Sequence, residues 1–249
     1  MTEPYRPRRA LVTGGGSGIG AACARALARQ GLTVTVADRN EETAAAVADE
    51  IGGQAWAIDL LDTAALEELS LDCDVLVNNA GIQHVAPVEA FDPQQFRRIL
   101  ALMLEAPFLL IRAALPHMYE RGFGRIINIS SVHGIRASPY KSAYVCAKHG
   151  LEGLSKTVAL EAGGRGVTSN CISPGYVRTA LVEGQIADQA KVHGISPDEV
   201  VEKVFLTESA VKRLVEPDEV GELAAWLAGE HAGMANGSTF TLDGGWSAR

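Results

Sequence analysis

The chain has 249 residues, a length that permits one large domain or two smaller ones. Its 22 lysine and arginine residues are outnumbered by 30 aspartate and glutamate residues, so the formal net charge is −8. This balance excludes a protein that binds nucleic acid through a basic surface, because such binding requires basic side chains that displace counterions from phosphates. Hydrophobic residues make up 47% and charged residues 21% of the chain, which is typical of a globular protein rather than a disordered one.

The cysteines and the first residues of the chain indicate a cellular compartment. Cys23, Cys73, Cys146 and Cys171 lie far apart and show no spacing typical of a metal site. Scattered thiols of this kind are typical of the reducing cytoplasm. Residues 1–9 are basic without an apolar signal core, and no uncharged apolar run reaches the roughly 18 residues of a membrane span. We therefore expect a cytoplasmic protein with no metal site and no membrane contact.

Short β-branched runs alternate with longer helical patterns along the whole chain. The predicted strands cover residues 10–13, 33–38, 55–59, 75–78, 125–130, 167–172 and 239–242. The first predicted helix follows the first glycine cluster and ends at Gly31. The later predicted helices cover residues 41–51, 93–120, 142–161, two stretches within 180–206, and 219–228. This alternation predicts an α/β fold: one doubly wound, Rossmann-type domain over residues 1–249, with about seven parallel strands and helices on both faces. Such sheets bind ligands beyond the carboxyl ends of their strands, where the strand order reverses.

A glycine-rich turn joins the first predicted strand to the first predicted helix, in the segment Thr13-Gly-Gly-Gly-Ser-Gly-Ile-Gly20. Glycines allow a tight turn and a close approach to a pyrophosphate, which then meets the free N–H groups of the helix N-terminus. The spacing differs from the general G-x-G-x-x-G pattern, and glycines also serve as plain turn residues. The candidate cofactor-binding residues of this turn are Gly14, Ser17, Gly18, Ile19 and Gly20.

Asp38 ends the second predicted strand, 18 residues beyond Gly20. A carboxylate there accepts hydrogen bonds from the adenosine ribose and repels a 2′-phosphate, which favours NAD over NADP. The adjacent Arg39 could offset this repulsion in part. The alternative is that Asp38 only caps a loop or a helix.

Ser131, Tyr144 and Lys148 form the candidate catalytic group. Ser131 follows the fifth predicted strand, and the other two residues are four apart on a predicted helix, so that both project from one face. A tyrosine hydroxyl titrates near pH 10, and a nearby ammonium together with a nicotinamide cation would lower its pKa toward neutrality. Ser131 could donate a hydrogen bond to a substrate oxygen as charge develops on it.

These motifs, together with Asp59-Leu60, Asn78-Asn-Ala-Gly81, Pro174-Gly175 and Asp243-Gly-Gly-Trp246, resemble the short-chain dehydrogenase/reductase family over essentially the whole chain. The resemblance implies that Ser131 orients the substrate, that Tyr144 is the acid/base, and that Lys148 tunes it and holds the cofactor ribose. It also implies a homotetramer. The further cofactor-binding positions that it implies are Asp59, Leu60, Asn79, Gly81, Pro174, Gly175, Val177 and Thr179.

One position departs from the family pattern. The family usually has an asparagine in the long helix, which helps to hold a water molecule in a proton relay, and this chain has Met103 there. Pro107 lies four residues on and lacks an N–H, which predicts a kinked helix and a free Met103 carbonyl. We hypothesise that this carbonyl accepts the relay water. The alternative is that Met103 fills core space.

Four polar residues indicate the substrate: Gln83, His133, Lys141 and Gln185. The local sequences around them resemble the family members that act on D-3-hydroxybutyrate, in which the equivalent positions bind the substrate carboxylate. An anion requires donors, and these side chains supply them. We therefore expect an NAD-dependent enzyme that oxidises a small 3-hydroxy acid, D-3-hydroxybutyrate, to acetoacetate, with Ser131 and Tyr144 also contacting the substrate. Each of the four could instead have a structural or solvent-exposed role.

Residues 180–206 form a long connection at the ligand edge of the predicted sheet. Long segments in this place are often lids, so we expect a substrate lid that brings Gln185 onto the carboxylate. Two kinds of alternative function remain. One is another activity on the same core, such as a polyol dehydrogenase or a 3-ketoacyl reductase. The other is a silent NAD-binding protein, which the missing asparagine at Met103 suggests.

Overall fold

The structure is a computed structural model that describes residues 9–180, 182–184, 186, 190 and 194–248. These residues contain a seven-stranded sheet, parallel throughout, in the order β3-β2-β1-β4-β5-β6-β7. The strand order reverses between β1 and β4. The strands are β1 (Arg9–Thr13), β2 (Thr33–Asp38), β3 (Gln54–Ala57), β4 (Val75–Asn78), β5 (Gly124–Ile129), β6 (Val167–Pro174) and β7 (Thr239–Leu242). The predicted doubly wound α/β fold is confirmed.

Helices connect the strands and cover both faces of the sheet. In chain order they are α1 (Gly18–Arg29), α2 (Glu41–Ile51), α3 (Thr63–Glu67), α4 (Pro93–Leu100), α5 (Ala106–Arg121), α6 (Ser142–Ala162), α7 (Pro197–Val200) and α8 (Pro217–Ala228). Most boundaries lie within two residues of the prediction. The short helix α3 was not predicted, because its five residues are too few to show a periodic pattern.

Two apolar clusters occupy the two faces of the sheet. Successive residues of β1 pack into different clusters, because successive side chains of a strand point to opposite faces of the sheet. Val12 packs into the cluster formed with α1, α2 and α8, whereas Leu11 packs into the cluster formed with α5 and α6. The near-continuous apolar character of the central strands therefore reflects burial on both sides.

The tract predicted as one long helix is divided into three parts. A π-helical segment (Ala101–Glu105) separates α4 from α5, and it ends two residues before Pro107. A proline has no N–H to donate within a helix, so the irregular segment lies where regular bonding is already interrupted. Pro93–Arg121 is long and apolar enough by composition to cross a membrane, but about half of its most apolar window is buried within the protein.

The ends of α2 follow the local sequence. Asn40 adopts an extended conformation, and its side chain accepts hydrogen bonds from the backbone N–H groups of Glu42 and Thr43. Gly52 ends the helix in the left-handed conformation with a φ of 65°, which glycine adopts without steric cost. Asn40 therefore begins α2 close to Asp38 and helps to fix the loop that leaves β2, and Gly52 ends the helix.

Helix α6 offers a matched test of the core, since one leucine on it is buried and another is exposed. Leu151 is 1% exposed and Leu160 is 87% exposed. We expect Leu151→Ala to lower the free energy of unfolding by about 2–5 kcal/mol, and Leu160→Ala to change it by less than about 0.5 kcal/mol. Urea denaturation followed by circular dichroism measures both values. Equal losses would contradict the assigned helix orientation.

Candidate active site

A cavity of about 600 Å³ opens at the carboxyl ends of the central strands. Gly14 follows β1, Asn79 follows β4, Ser131 follows β5 and Gly175 lies just after β6, and all four line it. This is the edge of the sheet at which doubly wound folds bind ligands. The other predicted site residues that line it are Ser17, Gly18, Ile19, Asp38, Asp59, Leu60, Gly81, Gln83, His133, Lys141, Tyr144, Lys148, Pro174, Val177 and Thr179.

Two predicted site residues do not lie in this lining. Gly20 lies beneath the glycine turn, where a Cβ atom would come 2.1 Å from the Gly14 carbonyl oxygen. A close backbone approach that shapes the turn therefore requires glycine at this position, and the expected cofactor contact of Gly20 stays a prediction. Gln185 lies outside the described residues, so its proposed substrate contact stays a prediction.

The glycine turn fits a pyrophosphate. Gly14 and Gly18 adopt positive φ angles of 59° and 51°, which favour glycine over residues with side chains. Ser17 precedes α1 in an extended conformation and makes no side-chain cap hydrogen bond. The first-turn N–H groups of this 12-residue helix thus remain available to an anion at the cavity wall.

Hydrogen bonds between β1 and the segment after β4 hold the turn in place. The Thr13 hydroxyl accepts hydrogen bonds from the backbone N–H groups of Asn79 and Ala80 at 3.0 and 3.2 Å. The Asn79 amide donates to the carbonyl oxygens of Thr13 and Gly14 at 3.0 and 3.1 Å. Asn79 therefore positions the backbone of the turn, and its predicted contact with the adenosine stays a prediction.

Asp38 lies at the end of β2 and also supports the glycine turn. One carboxylate oxygen accepts a hydrogen bond from the Gly16 N–H at 3.0 Å, and the other accepts one from the Asn40 N–H at 3.0 Å. Both Asp38 and Arg39 line the cavity. Asp38 thus supports the loop and also lies at the cavity wall.

Tyr144 and Lys148 lie one turn apart on α6 and face the cavity, as the i, i+4 spacing predicts. The Lys148 ammonium is buried and donates a 2.6 Å hydrogen bond to the Ile129 carbonyl oxygen at the end of β5. It lies 5.7 Å from the centre of the Tyr144 ring. Ser131 follows β5 on the same side of the cavity, so the three side chains converge.

The protein alone does not lower the pKa of Tyr144, and the lowering expected from Lys148 together with a nicotinamide cation stays a prediction. Burial raises this pKa, and a hydrogen bond with Ser131 opposes the shift in part. Burial also lowers the pKa of Lys148 to about 8, with nearby Cys171 and Glu152 opposing the shift. Desolvation is therefore the largest cause of the pKa shift of each group.

Lys141 and Gln83 present unused donors to the same cavity. Lys141 is half-buried, and within the described part of the chain no carboxylate lies in ion-pair contact with it. Its ammonium lies 5.5 Å from the centre of the Tyr176 ring, and burial lowers its pKa. The Nε2 atom of Gln83 is buried without a hydrogen-bond partner among the described residues. A buried donor without a partner is costly, so this atom indicates a site for an acceptor group.

His133 lines the cavity as predicted, but both of its ring nitrogens already have partners. Nδ1 lies 3.3 Å from the Ser131 hydroxyl oxygen, and Nε2 lies 2.8 Å from that of Ser138. Burial, followed by the charge of Lys141, lowers the pKa of His133 to about 4. A neutral ring with two internal partners is a weaker anion donor than the sequence suggested, and its predicted carboxylate contact stays a prediction.

Several further residues that the sequence did not single out as site residues line the cavity, among them Ser138, Tyr176 and Trp246. Tyr176 follows the Pro174-Gly175 motif directly, and Trp246 ends the Asp-Gly-Gly-Trp motif, so adjacency to a motif was an available signal. Ser138 carries no such signal, because it lies in the irregular segment between β5 and α6.

Met103 fills apolar space next to the site. It is 1% exposed and packs with Ile99, Ala143 and Ala147. Its terminal carbon lies 3.3 Å from the point where a Cβ atom on Gly81 would stand. These contacts agree with the packing alternative for the side chain. The hypothesis that the Met103 carbonyl accepts a relay water stays a prediction.

Comparison with known proteins agrees with this geometry. The profile of the short chain dehydrogenase family matches residues 8–190. A D-beta-hydroxybutyrate dehydrogenase of Rhizobium meliloti (strain 1021) is 43% identical, over 97% of this chain and 99% of that protein. A protein of the same name from Cupriavidus necator is 41% identical, over 97% and 98% of the two chains.

A solved structure carries a different activity in its name. It is a proposed 2-deoxy-d-gluconate 3-dehydrogenase from Agrobacterium tumefaciens with bound NADP, and it is 30% identical. The alignment covers 97% of each chain with a TM-score of 0.84. Family profile, near full-length relatives and shared architecture agree, and the chain belongs to the short-chain dehydrogenase/reductase family of oxidoreductases.

Proposed function

We propose that this oxidoreductase is an NAD-dependent D-3-hydroxybutyrate dehydrogenase, which oxidises D-3-hydroxybutyrate reversibly to acetoacetate. The observation that carries the proposal is the pair of unused donors, Lys141 and Gln83, in the cavity that holds Ser131, Tyr144 and Lys148. A substrate with a secondary alcohol at one end and a carboxylate at the other would engage both groups. The names of the two relatives at 43% and 41% identity support the same substrate.

The positive charge of Lys141 supports an anionic substrate. The chain as a whole carries a net charge of −8, which disfavours the approach of an anion. A cation that lacks a carboxylate partner among the described residues compensates for this locally. An ionised hydrogen bond between the ammonium and a carboxylate is stronger than a neutral one, because both partners carry charge. The Gln83 amide then supplies a second, neutral donor.

Three side chains of the cavity would carry out and support the proton transfer. A nicotinamide dinucleotide supplies the hydride acceptor when it is bound in the glycine-turn cavity. The Tyr144 oxygen removes the proton of the substrate hydroxyl, and Ser131 donates a hydrogen bond to the same substrate oxygen. Lys148 holds positive charge near the phenol ring, which favours the phenolate form required of the base. In the reverse direction Tyr144 returns the proton.

Asp38 supports NAD as the cofactor. Its carboxylate lines the cavity at the end of β2, where negative charge repels a 2′-phosphate and accepts hydrogen bonds from ribose hydroxyls. Arg39 lines the cavity beside it and weakens this discrimination. A solved structure at 30% identity has NADP bound, so the proposal of NAD for this chain rests on Asp38.

The proposal includes three features that rest on the sequence alone. They are the substrate lid at residues 180–206, the homotetramer and the cytoplasmic location. The rival functions differ from the proposal in the substrates that are turned over. A screen of 3-hydroxy acids, polyols and ketoacyl thioesters with NAD and NADP distinguishes all of them, and no turnover of any substrate would favour a silent cofactor-binding protein.

Lys141→Ala tests the carboxylate contact. We expect the KM for D-3-hydroxybutyrate to rise about 10- to 100-fold, because a hydrogen bond to a charged group contributes about 1.5–3 kcal/mol. The KM for NAD should stay within twofold. Lys156→Ala, at an exposed lysine of α6, the helix that Lys141 directly precedes, is the matched control and should change neither constant. Steady-state kinetics measures both, and equal turnover of the substrate's methyl ester by the unaltered protein would contradict the contact.

Asp38→Asn tests the cofactor preference. This change removes the charge and keeps one oxygen that can accept the Gly16 N–H, whereas the hydrogen bond from the Asn40 N–H is lost. We expect kcat/KM with NADP, relative to NAD, to rise about tenfold, since about 1.4 kcal/mol of repulsion corresponds to that factor. Asp62→Asn, at the exposed N-cap of α3, should leave the ratio unchanged. Comparable use of both cofactors before any substitution would contradict the role of Asp38.

His133 predicts a pH dependence of stability. Its pKa is about 4 in the folded protein against 6.5 normally, so the unfolded chain binds a proton first as the pH falls. The free energy of unfolding should therefore decline between pH 6.5 and about 4, by about 2–3 kcal/mol from this group alone. Between pH 7 and pH 4.5, the free energy of unfolding of His133→Asn should fall by about 2–3 kcal/mol less than that of the unaltered chain. Urea denaturation at the two pH values measures this difference. The exposed control His231→Asn should follow the unaltered chain.

A further inference from the structure

Three side chains form a hydrogen-bonded series beside the reacting position. The Ser131 hydroxyl lies 3.3 Å from His133 Nδ1, and His133 Nε2 lies 2.8 Å from the Ser138 hydroxyl. Ser131 and His133 are each 6% exposed, and all three residues line the cavity. The far end of the series, Ser138, has no role in the mechanism described above.

The number of protons in this series is limited. The His133 ring is neutral over the working range, because its pKa is about 4, and a neutral imidazole carries one N–H. If Nε2 carries the proton, Nδ1 must accept the Ser131 proton, which is then directed away from a substrate. If Nδ1 carries it, the ring donates to Ser131, and Ser138 must donate to Nε2.

We propose that Ser138 is a positioning residue that donates its hydroxyl proton to His133 Nε2 and so holds the imidazole proton on Nδ1. Ser131 Oγ then accepts from Nδ1–H, and it also accepts from the His133 backbone N–H at 3.2 Å. With both lone pairs engaged, its own proton can only be donated outward, to the substrate oxygen or to Tyr144. The serine is in this way prepared as a donor before the substrate binds. Both ring nitrogens of His133 are then engaged, so in this arrangement the ring does not donate to the substrate carboxylate, in contrast to the contact expected from the sequence.

The surroundings of His133 restrict rearrangement of the series. The ring packs edge-on against the Tyr144 ring, with centres 5.9 Å apart, and it lies 5.6 Å from the Trp246 ring. A 180° flip of the ring, which would put carbon atoms where the two nitrogens stand, would therefore break both hydrogen bonds and disturb two aromatic neighbours. Because the orientation is fixed, the identity of the donor at Nε2 determines the tautomer.

Nuclear magnetic resonance tests the tautomer directly. The intact chain is prepared with ¹⁵N-labelled histidine, and the His133 signals are identified as those lost in His133→Asn. We expect Nε2 to show the chemical shift of an unprotonated ring nitrogen at pH 7, and Nδ1 that of a protonated one. Ser138→Ala should move both shifts toward the average of the two tautomers, whereas Ser138→Thr, which keeps a hydroxyl, should not. A protonated Nε2 in the unaltered protein would overturn the proposal.

Kinetics provides the second test. We expect Ser138→Ala to lower kcat about 5- to 50-fold with the KM for NAD within twofold, and Ser138→Thr to restore kcat to within threefold. Ser142→Ala, in the first turn of α6 and outside the cavity lining, is the matched control and should keep the full kcat. In a His133→Phe background, Ser138→Ala should have no further effect on kcat, because Ser138 acts through the ring. An unchanged kcat in Ser138→Ala alone would also overturn the proposal.

The inference rests on the proposed function only in that Ser131 donates to a substrate oxygen. The tautomer measurement needs no substrate, and the kinetic test can use any secondary alcohol that the protein oxidises. Failure of D-3-hydroxybutyrate as a substrate would therefore leave the tautomer result standing. Conversely, turnover of that substrate with a protonated Nε2 would overturn this inference alone.

Discussion

The hydrogen bond from the buried Lys148 ammonium to the Ile129 carbonyl oxygen joins α6 to the end of β5, and the geometry of the site depends on it. Ser131 is two residues beyond Ile129, and Tyr144 is one helical turn before Lys148. This 2.6 Å contact thus sets the separation between the two groups that meet the reacting oxygen. It also satisfies one of the three donors of a buried cation, which would otherwise be costly.

Desolvation is the largest cause of the pKa shifts of four ionisable groups in this cavity. It raises the pKa of Tyr144, lowers those of Lys141 and Lys148, and keeps His133 neutral. Each of these shifts disfavours the charged form of the group. A carboxylate close to Lys141, or positive charge close to Tyr144, reverses the balance locally. The site is therefore arranged so that a complementary ligand stabilises charges that the protein alone does not favour.

The sequence predicted the sheet, its connections and most of the cavity lining, because these depend on patterns that repeat locally. Asp38 at the end of β2 and the pair Tyr144 and Lys148 follow directly from strand ends and helical spacing. Ser138 could not be predicted, since its contact with His133 depends on the path of an irregular loop. The burial of Tyr144, which raises its pKa in the protein alone, could not be predicted either, because residue spacing shows which charges are near but not how deeply a group is buried.

Gly20 shows a second limit of the same kind. The motif correctly indicated a turn that requires glycine there, but only the structure shows that the Gly20 backbone lies against the Gly14 carbonyl oxygen rather than in the cavity lining.

The π-helical segment at residues 101–105 has a broader consequence. One residue added to a helical turn advances every later side chain by about 100° around the axis. Ile99 and Met103 can thereby face α6, while Leu109 and Leu110 face the sheet. Removing a single residue from this segment would put the second half of the tract out of phase with the sheet.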